Sequence, residues 1–237
     1  MKTITTKTLV FTTLAAITLV STKGEPLPTN KTGFYVGAAL GGADLTAKSN
    51  LLISQLVGVA PVPQNFSLTT TEKNIAGDIF VGYGKRLDCL SLEGEVTGSF
   101  APLKSKTDLN ITNINTTQSL EVKTTSAVEG ALKLGYYMNT TNKLYFKVGL
   151  EYRRFKVNFT DPSNIFVNLN KTHNSTAFVP GLGHEVDLTP CLSLRTEYRI
   201  ALHPKKTVEV ANAASQATSI QTKPTIHHLN LGLVFKI

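Results

Sequence analysis

Residues 191–202, CLSLRTEYRIAL, sort by parity into two sets that cannot share one environment. Leu192, Leu194, Thr196, Tyr198, Ile200 and Leu202 carry no charge, whereas Arg195, Glu197 and Arg199 fall on alternate positions. Successive side chains of a β-strand point to opposite faces, so one face of this stretch is neutral and the other ionic. Residues 89–100, CLSLEGEVTGSF, repeat the design, with Leu90, Leu92, Val96 and Phe100 on one side and Glu93 and Glu95 on the other. Strands of this kind need two different surroundings at once.

The same alternation predicts eight strands, at 33–46, 74–83, 89–100, 125–138, 143–155, 175–186, 191–202 and 225–237. The connections 47–73, 101–124, 156–174 and 203–224 are long, and those between them (84–88, 139–142, 187–190) are short. That order places every short turn at one end of an up-and-down meander. Within the first long connection, LLISQLVGVAPVP reads as a short helix or hairpin packed on the domain, or as a hydrophobic contact surface. Pro180 removes a ladder donor, and such a residue normally marks an edge or a bulge.

Composition narrows the setting. Charged residues make up 17% of the chain, below the roughly 25% of soluble domains. The net charge is +8, but Lys2, Lys7 and Lys23 fall in the first 24 residues, and no Lys/Arg stripe of the kind that binds nucleic acid is present. Residues 1–24 read as a secretory signal, 25–32 as a Pro-containing linker, and 33–237 as the barrel. The apolar core of the signal, 8–20, is shorter than the roughly 20 residues of a spanning helix. Export without such a helix leaves a soluble secreted protein, a periplasmic protein or an outer-membrane barrel.

The ionic rows pool seven acids, Asp78, Glu93, Glu95, Glu129, Glu151, Glu185 and Glu197, with six bases, Lys133, Lys147, Arg153, Arg195, Arg199 and Lys236. Charges withdrawn from water must be paired and hydrogen-bonded, and this near-balance suits a closed interior. Parity alone does not say which face is outside. A soluble lipocalin-like carrier points its apolar row inward around a ligand, and a membrane barrel inverts that arrangement. Three features favour inversion. Eight apolar rows overfill a small barrel; Tyr83, Tyr136 and Tyr198 lie near the ends of the neutral rows, as interfacial aromatics do; and the last strand runs Leu229, Leu231, Leu233, Phe235, Ile237. About ten residues at 3.3 Å, tilted by about 45°, span roughly 23 Å, close to the apolar band of outer-membrane barrels.

The stretches GFYVGAALGG (33–42), IFVGYG (79–84), LDCLSLEGE (87–95), LTPCLSLRTEYR (188–199), GLGHEVDL (181–188) and LNLGLVFKI (229–237) together resemble the small eight-stranded outer-membrane barrels of the opacity-protein and OmpA/OmpX transmembrane type. The resemblance covers residues 33–237 and is a pattern, without one diagnostic motif. It departs at the end, where Phe235 is followed by Lys236 and Ile237 in place of a terminal aromatic. It implies an all-β, antiparallel up-and-down transmembrane barrel in the outer membrane, with short periplasmic turns and four long extracellular loops. It also implies a surface protein that contacts outer-membrane lipid and offers loops 47–73, 101–124, 156–174 and 203–224 to a host surface or envelope ligand. No nucleic acid, cofactor or metal is expected, and no enzymatic activity. A narrow channel for small solutes is the alternative, and a soluble carrier a third reading. Thirteen long charged candidates fill an eight-stranded lumen, which favours a plug over a pore.

The remaining motifs are weaker. Cys89 and Cys191 open strands on the short-turn side and invite a disulfide in an oxidising compartment. They stand on opposite sides of an eight-membered ring, so a bridge forms only if the turns fold across the opening. His173, His184, His203, His227 and His228 show no metal-ligand spacing, and the last two point to opposite faces of a strand. Asn-X-Ser/Thr occurs at Asn30, Asn65, Asn110, Asn115, Asn139, Asn158, Asn170 and Asn174, as often as so Thr- and Asn-rich a chain makes by chance.

Overall fold

The computed structural model describes residues 32–57, 60–110, 117–160, 169–211 and 217–237, and the expected signal and nearly all of the linker lie outside them. The described residues form β1 (Thr32–Val57), β2 (Ala60–Leu87), β3 (Leu90–Asn110), β4 (Thr117–Tyr137), β5 (Asn142–Thr160), β6 (Leu169–Asp187), β7 (Leu192–Leu202), β8 (Lys206–Ala211) and β9 (Ala217–Lys236). Each pairs antiparallel with its neighbour, and β9 returns to β1 to close the ring. β7 and β8 lie along the same edge of β9, at Leu202↔Thr225 and Lys206↔Thr222. They are one strand interrupted around Pro204, which has no N–H to give the ladder. The ring therefore has eight members, as the alternation predicts.

The short turns are set by local chemistry. Asp88, between β2 and β3, takes a left-handed φ of 52°, which Asp tolerates better than most residues. Between β4 and β5 the side-chain oxygen of Asn139 accepts hydrogen bonds from the backbone N–H groups of Thr141 (3.0 Å) and Asn142 (2.7 Å). Between β6 and β7 the Thr189 hydroxyl accepts from the N–H of Leu192 at 3.0 Å. Pro180 sits at neither an edge nor a bulge. The β6–β7 pairing skips from Phe178↔Leu202 to Gly181↔Arg199 without a change of register, so the faces of β6 stay as predicted.

The long connections correct the sequence reading. β1 has 26 residues and β2 has 28, against the roughly 9–11 that cross a bilayer, so most of the segments read as loops 47–73, 101–124, 156–174 and 203–224 continue the strands. The described residues of LLISQLVGVAPVP, 51–57 and 60–63, are paired strand of β1 and β2 and not a helix; its side chains lie outside the described residues. Beyond the ring the wall divides. β2 pairs β3 only from Leu87↔Leu90 to Gly77↔Phe100, and β6 pairs β7 only as far as Phe178↔Leu202. Past those points, among the described residues, two four-stranded sheets remain, β8-β9-β1-β2 and β3-β4-β5-β6.

The division coincides with a reversal of polarity. In the ring, Phe34, Leu40, Val81, Leu92, Leu132, Phe146, Leu150 and Leu182 face outward and are exposed, while the charged rows are buried. Past it the buried inward positions are Leu45, Ala47, Leu103, Val122, Phe155, Val157 and Ile226, and the outward ones include Lys48, Lys104, Lys106 and Lys156. One-residue register shifts lie at the changeover, between Phe100 and Leu103 of β3 against β4 and between Thr124 and Ala127 of β4 against β5. The upper part is thus built like two packed sheets of a soluble domain, stacked on a ring built for the opposite solvent.

Candidate functional site: the charged lumen and the two ends of the barrel

The middle of the ring is filled by an interlocked ionic layer. Glu95 accepts hydrogen bonds from Tyr35 (3.0 Å) and Arg195 (2.7 Å), pairs with Lys133, and lies 3.5 Å from Lys147. Glu197 takes Tyr145 (2.6 Å), Lys147 (2.9 Å) and Arg199 (3.4 Å), and Arg199 reaches Asp78 at 2.9 Å and the Ser99 hydroxyl at 2.8 Å. Glu129 is 2.8 Å from Lys147 and 3.4 Å from Arg199, ion-paired by distance although neither of its oxygens accepts an aligned hydrogen bond. Nearer the short turns, Glu185 joins Arg195 (3.3 Å), Lys143 (3.2 Å) and Lys236 (3.3 Å), and Glu93 pairs with Lys143 at 2.6 Å. At the far side Glu151 binds Arg153 at 2.7 Å.

Twelve of the thirteen charged residues singled out for the lumen (Asp78, Glu93, Glu95, Glu129, Lys133, Lys147, Glu151, Arg153, Glu185, Arg195, Glu197 and Arg199) are therefore buried on the inner face, and Lys236, at the end of β9, is only partly buried. The sequence reading missed Lys143 and Arg86, which are also buried there, and the two tyrosines that donate to the acids. Parity places Lys143 and Tyr145 with Lys147, so that signal was present. The rings fit because inward glycines face them: a Cβ on Gly82 would lie 2.2 Å from Tyr35, and one on Gly183 2.2 Å from Tyr145. The layer holds a void of about 10 Å³ beside Asp78, Glu95 and Arg199, room for one water.

Above this layer His203 lies 3.2 Å from the Ser175 hydroxyl and 3.5 Å from Glu151. The three are brought together from β5, β6 and the β7–β8 break, and no sequence spacing announces them. A Ser-His-acid set suggests nucleophilic chemistry, but all three are buried and Phe155 packs edge-on against His203 at 4.8 Å, so no substrate reaches the hydroxyl. His228 points inward beside Arg153 at 3.5 Å, while His227 points outward and bonds Tyr198 at 2.8 Å, the opposed directions that strand geometry requires. Among the described residues no group of His, Cys, Asp and Glu could hold a metal ion. Cys89 and Cys191 are free thiols on separate short turns, so the two turns do not fold across the mouth to bridge them.

The outer surface above the ring is cationic. Lys104, Lys123 and Lys156 lie in one cross-strand row over β3, β4 and β5. Like charges placed directly opposite repel, and Glu121 offsets part of this by holding Lys104 at 3.0 Å and Lys123 at 2.6 Å. Partial burial acts to raise the Glu121 pKa, but hydrogen bonds from Lys123, Lys104 and Asn158 outweigh it and bring the carboxyl down to about 2.

The family model for the outer membrane protein beta-barrel domain matches residues 12–236. The chain belongs to that family. As an outer-membrane β-barrel it lies in the outer membrane, with its exposed apolar belt against lipid. Among solved structures it is similar to the outer membrane protein OprG from Pseudomonas aeruginosa, at 12% identity and a TM-score of 0.52, covering 89% of this chain and 100% of that one. It is also similar to Neisserial surface protein A (15%, TM-score 0.39, 89% and 100%) and to Ail, the attachment invasion locus protein of Yersinia pestis (10%, TM-score 0.37, 86% and 99%). No curated protein matches the chain. In this outer-membrane barrel the aromatic rim on the outer side is made by Phe100, Tyr152 and Phe178, all exposed, with Tyr83 and Tyr136 toward the short turns. Tyr198 sits lower than the sequence reading placed it, level with Leu182 and Leu229 and tied to His227.

Proposed function

We propose that this barrel is a closed surface protein whose membrane ring anchors an extracellular two-sheet extension, and that the extension makes contact with an anionic partner on a host surface or in the envelope. The observation that carries the reading is the filled ionic layer, in which the buried carboxylates are tied to lysines or arginines and the void beside Asp78, Glu95 and Arg199 is water-sized. A conducting path needs continuous water. The burial of Leu45, Leu103, Phe155 and Ile226 above that layer supports closure a second time.

The cationic row Lys104, Lys123, Lys156, with exposed Arg154 beside it, supports an anionic partner over a neutral one. The protein in nanodiscs should bind dextran sulfate and not neutral dextran. The triple change Lys104→Gln, Lys123→Gln, Lys156→Gln should weaken that binding and flatten its salt dependence, since each displaced lysine removes a screened surface contact. Equal retention of the triple variant on dextran sulfate would remove the cationic row from the account. The channel reading has one observation in its favour, an open vestibule at the short-turn end of about 720 Å³. Steady ohmic steps in planar bilayers would establish it against the closed barrel.

A further inference from the structure

The buried cations of the described residues are Arg86, Lys133, Lys143, Lys147, Arg153, Arg195 and Arg199. Six of them are ion-paired. Arg86 is the exception among the described residues. It is 6% exposed, and its Nε donates to the carbonyl of Asp88 at 2.9 Å. Its guanidinium carbon lies 3.6 Å from the centre of the Tyr137 ring, and its Nη2 has no partner. A desolvated guanidinium without a carboxylate is poorly compensated by one carbonyl and one ring face, and an anion would complete it.

Arg86 lines the vestibule, and its neighbours there make the site one-sided. Lys143 is taken by Glu93 and Glu185, and Lys236 by Glu185 and Asp187. The lining acids Glu93, Glu185 and Asp187 are therefore each paired with another cation, one oxygen of Glu93 alone lacking a hydrogen-bond partner, and exposed Lys85 stands next to Arg86 in the lining. The cavity, at about 720 Å³, is within the size range of small-molecule sites. A fixed planar fork is also the geometry that takes a carboxylate or phosphate through two parallel hydrogen bonds.

We propose that the periplasmic vestibule is an oxyanion-binding site in which Arg86, held over the Tyr137 ring and anchored to the β2–β3 turn, binds a carboxylate or phosphate group of a small periplasmic solute. The site lies at the opposite end of the molecule from the extracellular extension and does not depend on what that extension binds.

The test uses the full exported chain refolded into nanodiscs. Inorganic phosphate and N-acetylglycine serve as probes at constant ionic strength in chloride, and the side-chain ¹⁵N resonance of Arg86 is followed by NMR. A saturable shift in the millimolar range with either probe is expected. A response to one probe alone assigns the oxyanion to that source. Calorimetry should show binding weakened by about tenfold or more in Arg86→Gln, equivalent to about 1.4 kcal/mol. It should also be weakened in Tyr137→Leu, which keeps the charge but removes the surface that orients it. Heat-modifiable gel mobility checks the fold of each variant, and the wild-type titration stands without them. No saturable shift with either probe, or equal affinity in Arg86→Gln, would overturn the site.

Discussion

Glu95 shows what one residue does in this lumen. It receives Tyr35, Lys133 and Arg195 and lies within ion-pair distance of Lys147, so Glu95→Gln leaves several buried cations short of charge. Breaking a buried pair from one side costs about 3–5 kcal/mol, and a loss of that size is expected in urea unfolding from lipid vesicles. On the other face, Leu194→Arg places a charge against hydrocarbon and should cost about 2–4 kcal/mol, measured the same way. If both variants unfold at the wild-type urea concentration, the two faces have been assigned wrongly. The acids and bases of the lumen were legible in the sequence because each sits on one parity of a short run, as in Arg195, Glu197, Arg199. Arg86 was not, because it stands at a strand end beside Lys85, where alternation gives way to a turn. The Ser175, His203, Glu151 contact was equally hidden, since its members are brought together only by closure of the ring.

The elements above the ring were read as polar loops for a physical reason. In β3 the apolar positions Leu92, Val96 and Phe100 face outward, and a few residues later Ala101 and Leu103 face inward. In β5 the change falls between Tyr152 and Phe155. β3 and β5 do not change phase there; their surroundings do, so a rule that places apolar residues on one parity fails at the boundary. With Thr, Asn and Lys on the outward positions, the continuation looks like a linker. If the extension is a packed two-sheet body, Leu103→Asp, which buries an unpaired carboxylate at a site now 1% exposed, should open it to trypsin at Lys104 and Lys106. The heat-modifiable ring should persist. Wild-type resistance to trypsin lost together with the ring would mean that the two parts fold as one.

Glu121 gives the same element a pH signature. Its folded pKa, about 2, lies below the ordinary carboxylate value, so its contribution is present above that ordinary value and is lost as pH falls toward 2. The carboxyl carbon of Glu121 should titrate with a midpoint near 2 by NMR. A midpoint at the ordinary carboxylate value would show that the Lys104 and Lys123 contacts are not held in solution.

At the scale of the whole molecule, one set of strands serves two solvents in series. Around the ring the wall meets lipid and encloses ions; above it the wall meets water and encloses Leu45, Leu103, Phe155 and Ile226. This order explains why strands of 26 and 28 residues are used where about ten cross the membrane, and why the ring parts into two sheets where lipid no longer confines it. The most direct test is a spin-label scan along β5 from Leu144 to Lys156, in protein with Cys89 and Cys191 changed to Ser. The account predicts that labels at 144, 146, 150 and 152 are accessible to oxygen and shielded from a water-soluble relaxer, and that labels at 154 and 156 show the reverse. Oxygen accessibility continuing through 154 and 156, or appearing at the inward positions 147 and 151, would contradict it.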